Sequence, residues 1–110
     1  MGSGKQVSSY DGKVTITKIQ CDDDGAGMYS VTVCVEVNVD SGETPIEVCL
    51  EVDGFQHDCI TISSNGSYCF SAYAPIDCDT SYTYKAILKY EAGMQQLEAK
   101  HEKAKTCPCS

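Results

Sequence analysis

The chain has no tryptophan and no arginine, and only three prolines in 110 residues. Without arginine, its eight lysines stand against 16 acidic residues, for a formal charge of −8. Nucleic acids and anionic membrane surfaces demand dense cationic patches, so neither is an expected partner. Long apolar runs are missing as well, and nothing approaches the roughly 18 residues that span a bilayer as a helix. The opening Met1-Gly2-Ser3-Gly4 is followed by no apolar segment, so it reads as an appended leader rather than a signal peptide. Residues 5–110 are expected to form one domain, since no repeat, linker or low-complexity stretch divides them.

Catalytic signatures are also lacking. There is no Gly-x-Ser-x-Gly, no phosphate-binding loop and no His-Glu-x-x-His. His57 follows a hairpin signal and His101 sits among lysines and glutamates, so both read as surface residues. No catalytic residue, cofactor or metal ligand set is assigned, and the chain is expected not to be an enzyme.

What the chain does have is cysteine. The eight residues are Cys21, Cys34, Cys49, Cys59, Cys69, Cys78, Cys107 and Cys109. Metal sites want tight clusters such as Cys-x-x-Cys, and none occurs here. An even number of dispersed cysteines in a short chain instead predicts disulfides, an oxidising compartment and a secreted protein.

Period-two alternation dominates the rest, helped by nine Val, seven Ile and eight Thr. Tyr29, Val31, Val33, Val35, Val37 and Val39 make one strand face. Further inward sets are Ile46, Val48, Leu50 and Val52, then Ile60 and Ile62, then Tyr68, Phe70 and Ala72. Tyr82, Tyr84, Ala86, Leu88 and Tyr90 make the last. Val14, Ile16 and Lys18 against Thr15, Thr17 and Ile19 suggest an opening strand. Residues 94–105 have helical propensity, but their position favours a closing strand. Turn signals at Asp40-Ser41-Gly42, Asp53-Gly54, Asn65-Gly66 and Ala92-Gly93 separate these runs. About seven short strands predict an all-β, antiparallel, immunoglobulin-like sandwich with Greek-key connections.

The same alternation puts Cys34, Cys49, Cys59 and Cys69 opposite the apolar set, so they are expected to staple strands across the outer sheet faces. A hairpin at Asp53-Gly54 sets Cys49 against Cys59. One at Ser41-Gly42 sets Cys34 against Cys49 equally well, and register alone leaves both open.

Residues 31–75, VTVCVEVNVDSGETPIEVCLEVDGFQHDCITISSNGSYCFSAYAP, resemble bacterial extracellular immunoglobulin-like modules of the cell-adhesion-related (CARDB) type. Residues 79–90, DTSYTYKAILKY, are similar to the sixth strand of fibronectin type III domains, with Tyr82 where such sandwiches carry a corner tyrosine. The chain departs from these modules in its many cysteines, and from antibody domains in lacking the core Trp and inter-sheet disulfide. The resemblance implies that the second and fifth strands are neighbours, which favours Cys34–Cys69 and keeps Cys49–Cys59. Cys107 and Cys109 then each reach back to Cys21 or Cys78, pinning the tail to the sandwich.

The charges are unevenly placed. Between Ile19 and Tyr84 there are 12 acids and no lysine. Such a block is either a solubilising surface, a docking face for a basic partner, or a source of calcium ligands. Asp22, Asp23 and Asp24 precede two flexible glycines, and Asp77 and Asp79 flank Cys78. Calcium requires roughly six to eight oxygens, so these two loops would have to converge, as a Cys21–Cys78 bridge would make them do. Asn65-Gly66-Ser67 is an N-glycosylation sequon, but Asn-Gly also suits a type I′ hairpin turn. Tyr29, Tyr68, Tyr82 and Tyr84 are in core phase, while Tyr73 in outward phase and Tyr10 are candidates for a protein or glycan contact.

These features together lead us to expect a non-enzymatic extracellular module acting by protein binding, adhesion or assembly with a partner or neighbouring module. One alternative is a free-standing secreted effector, toxin or inhibitor that docks a basic partner. Another is a calcium-stabilised structural module. Free sheet edges invite strand addition, for which residues 5–19 are a candidate donor.

Overall fold

The computed structural model describes residues 12–23, 28–40 and 43–109, the side chains of 72–74 excepted. Seven strands run in order: β1 (Gly12–Asp23), β2 (Tyr29–Val39), β3 (Glu43–Val52), β4 (Phe55–Thr61), β5 (Gly66–Ile76), β6 (Ser81–Ala92) and β7 (Gln95–Thr106). They form two antiparallel sheets, β1-β2-β5 and β4-β3-β6-β7. The chain crosses between sheets after β2, β4 and β5, which makes the all-β Greek-key sandwich that the alternation predicts. Residues 95–106 form a strand despite their helix-favouring composition, because pairing with β6 along its whole length outweighs a weak local preference.

The core is made by the predicted inward sets. Val31, Val33, Val35 and Val37 of β2 face Val48, Leu50 and Val52 of β3 and Tyr84, Ala86 and Leu88 of β6, all at most 1% exposed. Phe70 and Ile76 close it from β5. Each such aliphatic side chain contributes roughly 1.5–3 kcal/mol when taken fully from water. Among the described residues, no polar or charged side chain is buried.

Bulges in β1, β5 and β3 shift the phase where alternation could not foresee it. In β1 the register slips between Ile16 and Lys18, so Ile19 pairs with core residue Val33 and packs against the core. Ile19 was expected outward and Lys18 inward; the bulge exchanges them. In β5 two slips pair Tyr73, not Ala72, with Val31 and bring Ile76 to Tyr29. In β3 a slip between Pro45 and Glu47 leaves Ile46 only half-buried.

The turns divide the same way. Asp53 (φ 51°) and Gly54 (φ 88°) both take left-handed conformations, as a type I′ hairpin requires, and Val52 pairs with Phe55 across them. Gly93 (φ 66°) and Met94 connect β6 to β7. Asn65-Gly66 is not a hairpin turn, because β4 and β5 lie in different sheets. Instead the Asn65 side chain accepts from Val39 N–H at 2.9 Å and donates to Val39 C=O at 3.1 Å, extending the end of β2 by one backbone-like rung. The Tyr82 hydroxyl accepts from the Asp77 N–H at 3.1 Å, five residues upstream, tying the β5–β6 corner.

Candidate functional site

With the interior filled by apolar side chains, polar chemistry lies on the outer faces, the sheet edges and the two ends. All eight cysteines are paired, as Cys21–Cys107, Cys34–Cys69, Cys49–Cys59 and Cys78–Cys109. Cys34–Cys69 joins neighbours in the three-stranded sheet and Cys49–Cys59 neighbours in the four-stranded one, on their outer sides. Cys49, though in outward phase, is only 3% exposed, with Cys59 and Ile87 as its partners on either side. The other two bridges tie residues 107–109 to the end of β1 and to the β5–β6 corner. Four disulfides fit an oxidising, extracellular environment. Among the described residues, no helix is long and apolar enough to cross a membrane.

The sheet also redistributes the charge. The sequence separates lysines from the acidic block, but β6 is hydrogen-bonded directly to β3. Lys89 lies 3.4 Å from Glu47, and Lys85 bridges Glu51 at 4.0 Å and Glu102 at 3.9 Å. The outer face of the four-stranded sheet is therefore a ladder of alternating sign. Glu47 and Glu51 are removed from any uniform docking face for a basic partner. A shallow depression of about 310 Å³ on this side is lined by Lys85, Lys100, His101 and Glu102. Its cations already have partners, since Lys85 pairs with Glu102 within it and Lys100 is 3.9 Å from neighbouring Glu98.

Five of the remaining acids share one end of the sandwich, while Asp40, Glu43 and Glu91 stand at the opposite end. Asp22 and Asp23 end β1, Asp53 makes the β3–β4 turn, and Asp77 and Asp79 flank Cys78. Asp53 accepts from Thr83 N–H at 2.8 Å, and Asp79 from Cys109 N–H at 3.2 Å. These carboxylates are partly spent on holding loops. Asp24, like Tyr10 and residues 1–4, lies outside the described residues. Of the candidate donor segment 5–19, residues 12–19 are part of β1 and already pair with β2 within the chain, and only 5–11 lie outside. The two aspartate loops share this end, but Cys21 pairs with Cys107 rather than Cys78, and among the described residues their carboxylates form no cluster close enough to share an ion. Among the described residues, the side chains that come together tightly enough for an ion are Glu47, Cys49 and Cys59. Both sulfurs there belong to a disulfide, which leaves one carboxylate and no thiolate.

Two exposed apolar residues escaped sequence reasoning. Phe55 is 78% exposed just after the β3–β4 turn, at the acidic end, and Met94 is fully exposed in the β6–β7 turn at the other. Their only signal was an apolar residue directly after a turn glycine. The Tyr73 side chain lies outside those described.

The edges differ from one another. The β1 edge meets β7, where Ile16 N–H donates to His101 Nδ1 at 2.9 Å. On β4, Cys59 stands opposite Cys49 with Cα atoms 4.0 Å apart, the narrow kind of antiparallel pair whose backbone N–H and C=O face away from the partner. That outward N–H is taken by Asp58 Oδ1 at 2.9 Å. Comparison with family models, curated proteins and solved structures found no match for this chain.

Proposed function

We propose that this chain is a secreted, non-enzymatic β-sandwich module that acts by binding another protein or by assembly. The observation that carries this reading is the division of labour among its residues. Among the described residues the interior is apolar apart from tyrosines such as Tyr84, whose hydroxyl is buried. The four disulfides brace the sheets and the tail, and the charged groups are spread over faces and edges. Such a body presents surfaces for recognition, and rigid cross-linking lowers the entropy lost when those surfaces are engaged. This arrangement supports adhesion and module-to-module contact as the forms such binding takes.

The test is direct binding. The immobilised, disulfide-intact chain is exposed to a second copy of itself and to extracellular proteins of the producing cell. Saturable, reversible binding that is lost on reduction supports the reading; no binding to either overturns it.

A second reading, a small secreted ligand for a basic partner, draws on the acidic end, where Phe55 stands exposed beside Asp53. An aromatic anchor rimmed by carboxylates suits a cationic surface. Phe55→Ala should weaken that binding at least tenfold and leave module assembly untouched.

A further inference from the structure

Sheet edges are normally protected, because a row of unpaired backbone groups will accept any passing strand. Three edges here have a visible device. The β1 edge is held against β7 by the Ile16–His101 bond. The β7 edge lies at that same seam and carries Lys100, Lys103 and Lys105 with Glu98 and Glu102. The β4 edge is short, and Asp58 occupies its Cys59 N–H.

The β5 edge has none of these over its first half. Cys69 stands opposite Cys34 with Cα atoms 4.0 Å apart, again the narrow pair. The N–H and C=O of Cys69 therefore point away from β2, and those of Ser67, two residues back in the same register, do too. Among the described residues, no strand pairs with that side of β5. Pro75 and the two bulges interrupt only the far end, beyond Phe70. Every other strand carries charge, yet Gly66–Ile76 contains no Asp, Glu, Lys or His. The flanking outward residues, Ser67, Cys69 and Ser71, are small and exposed.

We propose that the Gly66–Ser71 edge of β5 is a self-association surface, pairing antiparallel with the same edge of a second copy. The charge decides the occupant. A protein of net charge −8 repels its own copies wherever its surface is acidic, and β5 is the one strand that brings no charge to such a contact. Two-fold symmetry suits it as well, because antiparallel pairing about Cys69 lets each copy donate and accept identically. The result is a continuous sheet of six strands, three from each copy. This inference rests on the binding-or-assembly reading and names its surface.

The test is sedimentation of the full, disulfide-intact chain from micromolar to millimolar concentration, with amide exchange read in parallel. Ser67→Pro removes an outward N–H without costing a bond to β2, and Ser67→Lys places charge on the edge. Both variants, first confirmed folded by an unchanged unfolding midpoint, should weaken dimerisation at least tenfold. Thr61→Lys on the β4 edge should leave it intact. In the dimer, the amides of Ser67 and Cys69 should slow in exchange, while those of Tyr68 and Phe70, which face β2, should not.

A chain that stays monomeric throughout overturns the proposal, and if it still binds an extracellular partner the broader reading survives. Self-association that both Ser67 variants retain also overturns this edge, while leaving assembly by another surface.

Discussion

The backbone N–H of Ile16, in β1, donates to the imidazole Nδ1 of His101, in β7, at 2.9 Å across 85 residues of sequence. It is the hydrogen bond that closes the sandwich along one side. Ile16 stands opposite Val35, whose own N–H and C=O face β5. By ordinary antiparallel alternation the Ile16 N–H points away from β2 at the sheet edge, where His101 supplies its acceptor. His101, which looked like a surface residue in a charged segment, is therefore a structural acceptor.

Replacing it tests that role. His101→Leu keeps the bulk but removes the acceptor and should cost about 1–3 kcal/mol, the usual penalty for leaving a buried donor unsatisfied. Equilibrium urea unfolding of the disulfide-intact chain measures the loss. Accelerated exchange at the Ile16 amide, with the Val33 amide unaffected, would locate it at the seam.

The disulfides should not contribute equally. Cys49–Cys59 closes a sequence separation of 10 residues and Cys21–Cys107 one of 86. The other bridges shorten the larger loop but still leave it well above the smaller. Chain-entropy arithmetic then makes the Cys21–Cys107 pair worth roughly 1 kcal/mol more than the Cys49–Cys59 pair. Paired Cys→Ser variants compared by chemical denaturation should show that order, and a larger loss from Cys49–Cys59 would contradict it.

The sequence made the strands legible where side chains alternate without interruption, as in Val31–Val39 or Tyr82–Tyr90. It failed where an extra residue enters a strand. Ile19 and Tyr73 lie beyond bulges, and a bulge depends on what the opposite strand and sheet require, not on the residues that form it. Charge was legible only as a list. The lysine-free block looked like a uniform acidic face because Lys85 and Lys89 are distant in sequence, yet sheet pairing places them beside Glu51 and Glu47. Asn65 misled for a related reason. Asn-Gly is the sequence of a hairpin turn, but the chain there passes between sheets and uses the amide to cap Val39.

That cap makes Asn65 sensitive to a nearly isosteric change. Asn65→Asp keeps an acceptor for Val39 N–H but replaces the donor to Val39 C=O with a carboxylate oxygen, setting acceptor against acceptor. A loss of about 1–2 kcal/mol is expected, visible as a lower unfolding midpoint. Asn65→Ala should cost a similar amount without the repulsion. If Asn65→Asp unfolds with the same midpoint as the parent, the cap contributes nothing.

The ion-pair ladder predicts a salt-dependent effect. Lys89 stands between Glu47 of β3 and Glu98 of β7. Lys89→Glu would set three acids side by side in one cross-strand row, costing roughly 0.5–1 kcal/mol per like-charged pair at low ionic strength. Screening shortens the reach of such repulsion to about 3 Å at 1 M salt, so the deficit should shrink there. An equal deficit at both salt concentrations would point to lost packing by the lysine stem instead.

Gly12 opens β1 because the backbone there passes against an aromatic face. A Cβ built on it would sit 2.8 Å from Cδ1 and Cε1 of Tyr90, whose ring is only 5% exposed and anchored in the core. No unusual backbone angle demands glycine at this position, so the constraint is purely one of space. Gly12→Ala must either push the ring into a close-packed interior or lift the start of β1 off the sheet. Overpacking of this kind costs roughly 1–3 kcal/mol, and Gly12→Val should cost more than Gly12→Ala. The two responses separate by amide exchange. A displaced ring would perturb Tyr90 and Leu88, whereas a lifted strand would free the amides of residues 12–15 and leave the core unchanged. Restoring space with Gly12→Ala in a Tyr90→Leu background should recover part of the loss, because the two substitutions share one contact.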